Sequence, residues 1–343
     1  MNGVLVEGVD NVRGTVFSHF STHFQGVSVD HPTMEALNFR LLTHREGIGL
    51  IEPFCVEEVK AEVWDCDNFK CLSPDDISFG FIKNIWDILK DDLMRFLHEF
   101  HRNGRLAKGI NNTFIALIPK DDSPQRLNDL RPISLVGSLY KILAKVLANR
   151  LRMVIGSVIL DSQSAFIKGR QILDGSLVAN EIVDEARRRK KELLLFKVDF
   201  EKAYDSIDWG YLQEVMLNMG FPALWRKWIK ECIETATASV LVNGSPTGEF
   251  PLGRGLRQGD PLSPFLFLLA AEGFNVLMNS LSDNNLFTGY TVGSSESMTV
   301  SHLQFANDTL ILGNKSWANI RAMRAVLVLF ENLSGLKVNF SKS

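Results

Sequence analysis

The sequence is poor in cysteine, has no long apolar run and carries almost no net charge, and each shortage narrows what the protein can do. Its four cysteines lack metal-ligand spacing, which argues against a structural zinc site and indicates a reducing compartment. No run approaches the ~18 apolar residues of a membrane helix. The start, MNGVLVEGVD, has neither the basic nor the apolar region of a signal peptide. We therefore expect no membrane partner.

The charge is nearly balanced, with 37 basic and 40 acidic residues and a net charge of −3. This balance argues against a protein that only coats nucleic acid, although an enzyme can carry a local basic groove on a neutral body. The densest basic run, ARRRKKE, includes Arg187 to Lys191. It is either a solvated helix end whose cations suit the macrodipole, or a nucleic-acid contact or nuclear import signal.

Hydrophobic periodicity predicts both helices and strands in this chain of 343 residues, which has room for two or three domains. The first 50 residues look irregular, apart from a helical piece near TVFSHFSTHFQ. Residues 51–105 are predicted to be helical and to end at Gly104. NTFIALIPK and LLLFKVDF predict strands, and Asn243-Gly244 predicts a hairpin. An antiparallel sheet with covering helices makes the expected fold class α+β.

The stretch SHLQFANDTLILG, residues 301–313, predicts two short strands joined by a tight turn. Alternating apolar and polar residues lead into Ala306-Asn307-Asp308, and an apolar run leads out. A turn needs only one Asn or Asp, and this turn has both. The pair is therefore either a simple hairpin tip or part of a metal site in which Asn307 replaces one ligand.

Two other segments carry candidate chemistry. Asp199 ends the apolar strand of FKVDFEKAYDSID, where a carboxylate is costly unless it is paired or bound to a metal. The alternative for Asp199 is a turn or helix-cap role, which we predict for Asp205 and Asp208. The loop GRGLRQGDPLSPFLF carries Gln258 just before a helix start, which favours an anion or nucleotide site. Its alternative is a constrained connection that ends at Pro261.

Seven motifs occur in order and together resemble the reverse transcriptase of non-LTR (LINE-type) retrotransposons, particularly the plant kind. They are NTFIALIPK, LRPISLVGSLYKILAKVLANRL, DSQSAFIKGRQILD, VDFEKAYDSIDW, GLRQGDPLSPFLFLL, QFANDTLI and SGLKVNFSKS. The resemblance implies a right-hand polymerase with fingers and an antiparallel palm sheet covered by helices. It implies fingers and palm over residues 112–343 and a linker or N-terminal helical extension over 1–111. By the same comparison, an upstream endonuclease and a thumb are expected to be absent.

The resemblance also implies a reaction: RNA-directed DNA synthesis from deoxynucleoside triphosphates on an RNA template with a DNA primer, using two Mg²⁺ ions. Asp199, Asn307 and Asp308 would form the catalytic set. The metal ligands would be Asp199, Asp308 and the backbone carbonyl of Phe200. The family has Asp where this chain has Asn307, and a neutral amide is a weaker Mg²⁺ ligand. Two carboxylates offer −2 against +4, so we expect the second ion to bind weakly.

Substrate roles follow from the same resemblance. Tyr204 would lie under the sugar and block a ribose 2′-hydroxyl. Lys120 and Arg131 would hold the triphosphate, which fixes its pose and offsets its charge. Gln258 would contact the nucleotide beside the template base, and Arg170 a template phosphate.

Two matters stay open in the sequence. Either Lys337 or Lys342 would protonate the leaving pyrophosphate. The chain is either an impaired polymerase or a catalytically dead remnant that at most binds nucleic acid, and Asn307 is the residue that distinguishes these possibilities.

Overall fold

The structure is a computed structural model that describes residues 5–26, 32–34, 37–68, 74–293 and 297–340. Its helices are α1 Val9–His23, α2 His44–Leu50, α3 Val56–Trp64, α4 Phe79–Asn84, α5 Trp86–Asn103, α6 Ser138–Val158, α7 Ile172–Arg189, α8 Ala203–Ser206, α9 Trp209–Asn218, α10 Ala223–Glu234, α11 Ser263–Asp283 and α12 Trp317–Ser334. Its strands are β1 Asn112–Pro119, β2 Leu130–Val136, β3 Leu193–Val198, β4 Thr237–Val242, β5 Ser245–Pro246, β6 Phe250–Pro251, β7 Tyr290–Val292, β8 Met298–Val300, β9 His302–Phe305 and β10 Asp308–Asn314.

The chain forms two compact units, each assembled from three separate segments. The first unit contains Met1–Ser28, Gly47–Arg150 and Pro222–Ser263. The second contains Val29–Glu46, Leu151–Phe221 and Pro264–Ser343. Strand β1, which follows the boundary expected between residues 111 and 112, lies in the long segment of the first unit. The division into an N-terminal extension and a fingers-and-palm region stays a prediction.

The first unit contains a mixed sheet in the order β2-β1-β4, with β5 and β6 both paired to β4. Strands β1 and β2 are antiparallel, whereas β1 and β4 are parallel. The predicted hairpin after β4 is confirmed. Its two turn residues, Asn243 and Gly244, have φ of 51° and 76°, and tight hairpins of the primed type need such positive values.

Residues 51–68 and 74–105, the described part of the region predicted to be helical, contain three helices, α3, α4 and α5. Ser78 begins α4 anew, because its hydroxyl accepts a hydrogen bond from the N–H of Phe81. Helix α5 ends as predicted, at Gly104 with φ of 58°. The ring of Trp228, on α10, contacts Phe54 and Phe100 of this region with centroids 5.7 and 5.9 Å apart. Aromatic packing thus joins these helices to the rest of the first unit.

The second unit contains the three-stranded antiparallel sheet β3-β10-β9, which confirms the expected antiparallel palm-type sheet. Helices α9, α11 and α12 meet where Phe330 contacts Tyr211 and Phe274, with ring centroids 6.3 and 5.5 Å apart. Asp208 caps α9 as predicted, since its carboxylate accepts from the N–H of Tyr211 at 2.8 Å. The α+β class is therefore confirmed.

Contrary to the expectation from the sequence, one helix in the described residues, α11, is long and apolar enough to cross a membrane. In this structure 78% of its most apolar window is buried inside the protein, which is the condition of a core helix. Gly273, in this helix, has no room for a side chain. A Cβ there would lie 2.0 Å from the hydroxyl of Tyr211, which donates to the carbonyl of Ala270.

Candidate active site

Strand register brings Asp199 and Asp308 to one end of the second unit's sheet. The last pair of the β3–β10 ladder is Val198 with Thr309. One step further along each strand are Asp199 and Asp308, which are therefore opposite each other at the strand ends. Directly opposed residues in antiparallel strands have Cα atoms about 4.5–5.5 Å apart. The register thus predicts that two carboxylates 109 positions apart in the sequence (308 − 199) are neighbours.

The turn between β9 and β10 holds the third candidate, Asn307. The predicted hairpin is confirmed, with Phe305 paired to Asp308 across the turn. The left-handed backbone belongs to Ala306, at φ of 52°. Asn307 is half-buried and Asp308 is exposed. The ammonium of Lys197, on β3, lies 3.4 Å from a carboxylate oxygen of Asp308, and both side chains are more than half exposed.

The segment after α12 pairs with the end of β3 through an isolated antiparallel bridge between Phe200 and Val338. Its two hydrogen bonds run from the N–H of Glu201 to the Lys337 carbonyl and from the N–H of Asn339 to the Asp199 carbonyl. The bridge does not use the carbonyl of Phe200. That carbonyl is therefore left for another partner.

Of the two lysines that are candidates for the proton donor, the structure describes only Lys337. The backbone of Lys337 is fixed by the bridge beside Asp199, and its side chain is exposed. Lys342 lies outside the described residues. The choice between them stays a prediction.

The oxygen donors at this strand end are of the type that binds a hard divalent cation. Carboxylates, a backbone carbonyl and an amide oxygen are the ligands that Mg²⁺ takes in proteins. Over the described ranges, however, no group of three or more His, Cys, Asp or Glu side chains could hold a metal ion. The presence of Asn307 leaves two carboxylates, Asp199 and Asp308, which fit one ion better than two.

Tyr204 lies on the short helix α8, which follows Asp199 in the chain. Its ring stacks on Phe267 of α11, with centroids 4.8 Å apart and planes inclined by 22°. Burial raises the pKa of the Tyr204 hydroxyl. Phe267 is buried and gives the ring a rigid backing. The sequence had not pointed to Phe267, which looks like one more apolar residue of a core helix.

The fingers candidates belong to the first unit. Arg131 is on β2 opposite Ile118 of β1, two residues before Lys120, so Arg131 and Lys120 extend from the same face of the hairpin. Both side chains are exposed. The ammonium of Lys120 donates to the carbonyl of Asn128 at 2.7 Å.

Gln258 lies in a loop whose backbone is tied to β2, because its carbonyl accepts from the N–H of Ser134 at 2.7 Å. The next residue, Gly259, has φ of 102°, and a Cβ there would lie 2.8 Å from the Ser134 carbonyl oxygen. On either side of this pair, Arg257 and Asp260 form a buried ion pair at 2.8 Å. Buried neighbours thus hold the half-buried Gln258 in place.

Arg170 has most of its hydrogen-bonding capacity committed to its own loop. Its guanidinium donates to the carbonyls of Ile159, Leu160 and Gln163 at 3.1, 2.6 and 2.7 Å, and pairs with Asp161 at 2.9 Å. These contacts favour a role in shaping residues 159–170. Contact with a template phosphate stays a prediction.

Antiparallel strands with carboxylates at one end, covered by helices, define the class of polymerase palms. The family described as Reverse transcriptase (RNA-dependent DNA polymerase) matches residues 118–343, which is more than half of the chain. The chain therefore belongs to the reverse transcriptase family. Members of this family use divalent metal ions, typically Mg²⁺, and bind a nucleic-acid template.

The relatives narrow this assignment to non-LTR retroelements. The Transposon TX1 uncharacterized 149 kDa protein of Xenopus laevis is 27% identical over 100% of this chain and 26% of that protein. The Pol polyprotein from type-1 retrotransposable element R2 of Popillia japonica is 26% identical over 66% of this chain and 31% of that protein. The expected non-LTR reverse transcriptase domain is confirmed. The chain spans about a quarter to a third of the length of these relatives.

Two further likenesses are partial. An uncharacterized mitochondrial protein of Arabidopsis thaliana is 44% identical over 69 residues, 20% of this chain and 56% of that protein. Among solved structures, telomerase from Candida tropicalis in complex with a fragment of telomeric RNA matches with a TM-score of 0.45 and 13% identity. That match covers 78% of this chain and 44% of the telomerase chain.

Proposed function

We propose that the chain extends a DNA primer on an RNA template with deoxynucleoside triphosphates, and that Asn307 makes this synthesis slow. The observation that supports the proposal is the strand register: Val198 pairs with Thr309, and Asp199 and Asp308 come next at the same end of the sheet, in a chain of the reverse transcriptase family. Residues 112–343 would supply fingers and palm, with residues 1–111 as an N-terminal extension.

The metal would be held by Asp199, Asp308 and the carbonyl of Phe200. When bound, Mg²⁺ would lower the pKa of the primer hydroxyl and offset charge on the phosphates. Asn307 can offer only a neutral oxygen. A second ion would therefore bind weakly, because the site lacks the third negative charge that would balance it.

The chain's own residues would select and orient the nucleotide. Tyr204, backed by Phe267, would exclude a ribose 2′-hydroxyl by its bulk. Lys120 and Arg131 would hold the triphosphate by charge. Gln258 would contact the incoming nucleotide from its fixed loop. Arg170 would contact a template phosphate with the donor capacity that its loop leaves over.

Primer extension with Mg²⁺ tests the proposal. Asn307→Asp should raise the rate by roughly 100-fold or more, because a charge-assisted ligand contributes about 3 kcal/mol and each 1.36 kcal/mol is a factor of ten. Asn314→Asp makes the same change at the other end of β10 and should leave the rate unaltered. Asp199→Asn should abolish the extension gained by Asn307→Asp.

Each outcome is decisive. Fast Mg²⁺-dependent extension by the unsubstituted chain would show that Asn307 does not impair it. Equal rates for Asn307→Asp and Asn314→Asp would remove Asn307 from the site.

The second candidate function, a remnant that only binds nucleic acid, is favoured by the shortage of carboxylates at the site. Retained binding of an RNA–DNA hybrid with no extension by Asn307→Asp would establish it.

A further inference from the structure

The turn that carries Asn307 and Asp308 depends on one side chain from elsewhere in the second unit. Ala306 adopts a left-handed backbone, which costs a non-glycine residue energy unless its surroundings enforce it. The N–H of Ala306 donates to Oε1 of Gln163 at 2.9 Å, and Nε2 of Gln163 donates to the Ala306 carbonyl at 3.2 Å. A single amide thus holds both backbone polar groups of the turn residue.

Gln163 is itself firmly held. Its residue is 1% exposed, and its Oε1 also accepts from the N–H of Ala165 at 3.0 Å. The backbone around it runs beside β9: the N–H of Gln304 donates to the Ser162 carbonyl at 2.7 Å, and the N–H of Ser164 donates to the Gln304 carbonyl at 3.0 Å. The clamp on Ala306 is therefore part of a rigid loop.

We propose that Gln163 is a positioning residue of the candidate active site, which fixes where Asn307 and Asp308 stand at the strand end. The catalytic role of Gln163 rests on the proposed function. The hydrogen bonds that hold the turn do not depend on that function. An amide suits the task because it offers an acceptor and a donor side by side, as a backbone strand partner does.

The chemistry of replacement separates this role from simple packing. Gln163→Met keeps the length of the side chain and removes both bonds to Ala306. It also removes the bond from the Ala165 N–H and the longer one, at 3.4 Å, from Nε2 to Oε1 of Gln304. Gln163→Glu keeps the acceptor for Ala306 N–H, but an ionised carboxylate faces the Ala306 carbonyl with no proton to donate. A protonated Glu regains that donor. The Glu variant should therefore hold the turn at low pH and release it as pH rises.

Hydrogen exchange at the Ala306 amide, measured on the full chain, is the direct test. Gln163→Met should speed this exchange about tenfold, the scale of one lost buried hydrogen bond. Asn319→Leu is the matched control: Asn319 is 2% exposed, and its amide likewise bonds backbone groups, accepting from the N–H of Thr288 at 2.9 Å and donating to the carbonyl of Asn314 at 2.7 Å. This change should leave Ala306 exchange within about threefold. At low pH Gln163→Glu should exchange like the wild type. At high pH it should exchange faster than the wild type but slower than Gln163→Met, because the carboxylate still accepts from the Ala306 N–H.

Binding of Mn²⁺, followed by electron paramagnetic resonance in an Asn307→Asp background, extends the test to the site. Gln163→Met should weaken this binding and lower kcat for primer extension without changing KM for the nucleotide. Unchanged Ala306 exchange in Gln163→Met, or equal changes in Gln163→Met and Asn319→Leu, would overturn the proposal. Altered exchange without any extension activity would uphold the clamp and count against the proposed function alone.

Discussion

The two units anchor their candidate site residues with opposite kinds of chemistry. In the first unit, the loop of Gln258 is anchored by the ion pair Arg257–Asp260, whose side chains are 6% and 4% exposed. In the second unit, the turn of Asn307 is anchored by the neutral amide of Gln163. A charged anchor is rigid but must be fully compensated once it is buried. A neutral anchor adds no charge beside carboxylates that are expected to bind a cation.

The compensation around Arg257 is extensive. Its guanidinium donates to the side chains of Asn111 and Thr113 at 2.7 and 3.1 Å, and lies 4.3 Å from the ring centroid of Tyr140. The Tyr140 hydroxyl in turn donates to Asp260 at 2.9 Å. Such a network should tolerate the loss of both charges better than the loss of one.

Removing one member of the ion pair should therefore give the largest effect. Arg257→Leu leaves Asp260 buried and uncompensated, and should cost about 3–5 kcal/mol of unfolding free energy. Denaturant unfolding measures this. The double variant Arg257→Leu/Asp260→Asn should lose less than Arg257→Leu alone. A double variant as unstable as the single one would mean that packing, and not charge, dominates this anchor.

Two buried titratable side chains of the second unit, Glu272 and His302, should make its stability depend on pH. Burial raises the pKa of Glu272 from 4.5 to about 7 and lowers that of His302 from 6.5 to about 4. The side chain of Asn275 bridges Glu272 and His302: its amide nitrogen donates to Glu272 at 2.7 Å, and its amide oxygen lies 2.9 Å from Nε2 of His302. Both groups therefore favour their neutral forms in the folded protein.

These two shifts should oppose each other between pH 4.5 and 6.5. The contribution of Glu272 is full below its unfolded pKa and is lost as pH rises towards 7, whereas that of His302 is full above 6.5 and is lost as pH falls towards 4. Each is worth up to about 3 kcal/mol. Glu272→Gln should thus lose stability on acidification, and His302→Gln should gain it. Parallel pH profiles of the two variants would refute the assignment.

The backbone beside the Arg257–Asp260 ion pair should tolerate an added side chain less well than an open turn does. Gly259→Ala adds a Cβ 2.8 Å from the Ser134 carbonyl oxygen, on top of strain from a φ of 102°. We expect a loss of about 1–3 kcal/mol. Gly244→Ala is the matched control, because Gly244 also has positive φ but nothing lies within 4 Å of its Cβ position. Equal losses of unfolding free energy would mean that the contact with Ser134 is unimportant.

The smallest effect should come from the exposed pair beside the candidate metal ligands. Lys197 and Asp308 are 60% and 58% exposed, so Lys197→Met should change stability by less than about 1 kcal/mol. Without the ammonium, Mn²⁺ should bind about threefold more tightly at low salt. Lys315→Met removes the same charge from a pair with Glu192 near the other end of β10 and should change nothing. Equal behaviour of both variants would exclude competition between Lys197 and the metal.

Local sequence signals predicted much of the fold because their physics is local. The left-handed Gly104, the Asn243-Gly244 turn and the Asp208 cap each depend on a few neighbouring residues. The division of residues 51–105 into separate helices was missed. The apolar spacing continues across the break at Ile85, and the turn signal Pro74-Asp75-Asp76 before α4 was not used. The three-segment units were also invisible, because they depend on contacts between distant parts of the chain.

The candidate site shows the same limit more sharply. Asp199 and Asp308 could be paired only through family resemblance, since no periodicity links residues so far apart. The clamp of Gln163 on Ala306 joins residues 143 positions apart. Its motif, DSQSAFIKGRQILD, was noticed, but nothing in the motif itself names the partner of the amide. Side-chain to backbone contacts of this kind leave no pattern along the chain.

The parallel pairing of β1 with β4 has a consequence for how the protein is made. Asn112 pairs with Thr237, which the ribosome adds 125 residues later (237 − 112). At typical rates of about 5–20 residues per second, β1 waits roughly 6–25 s for its partner. During that time one edge of the β1–β2 hairpin is unpaired and open to strands of other chains. The need for a chaperone should therefore arise during this interval of synthesis and end when β4 emerges.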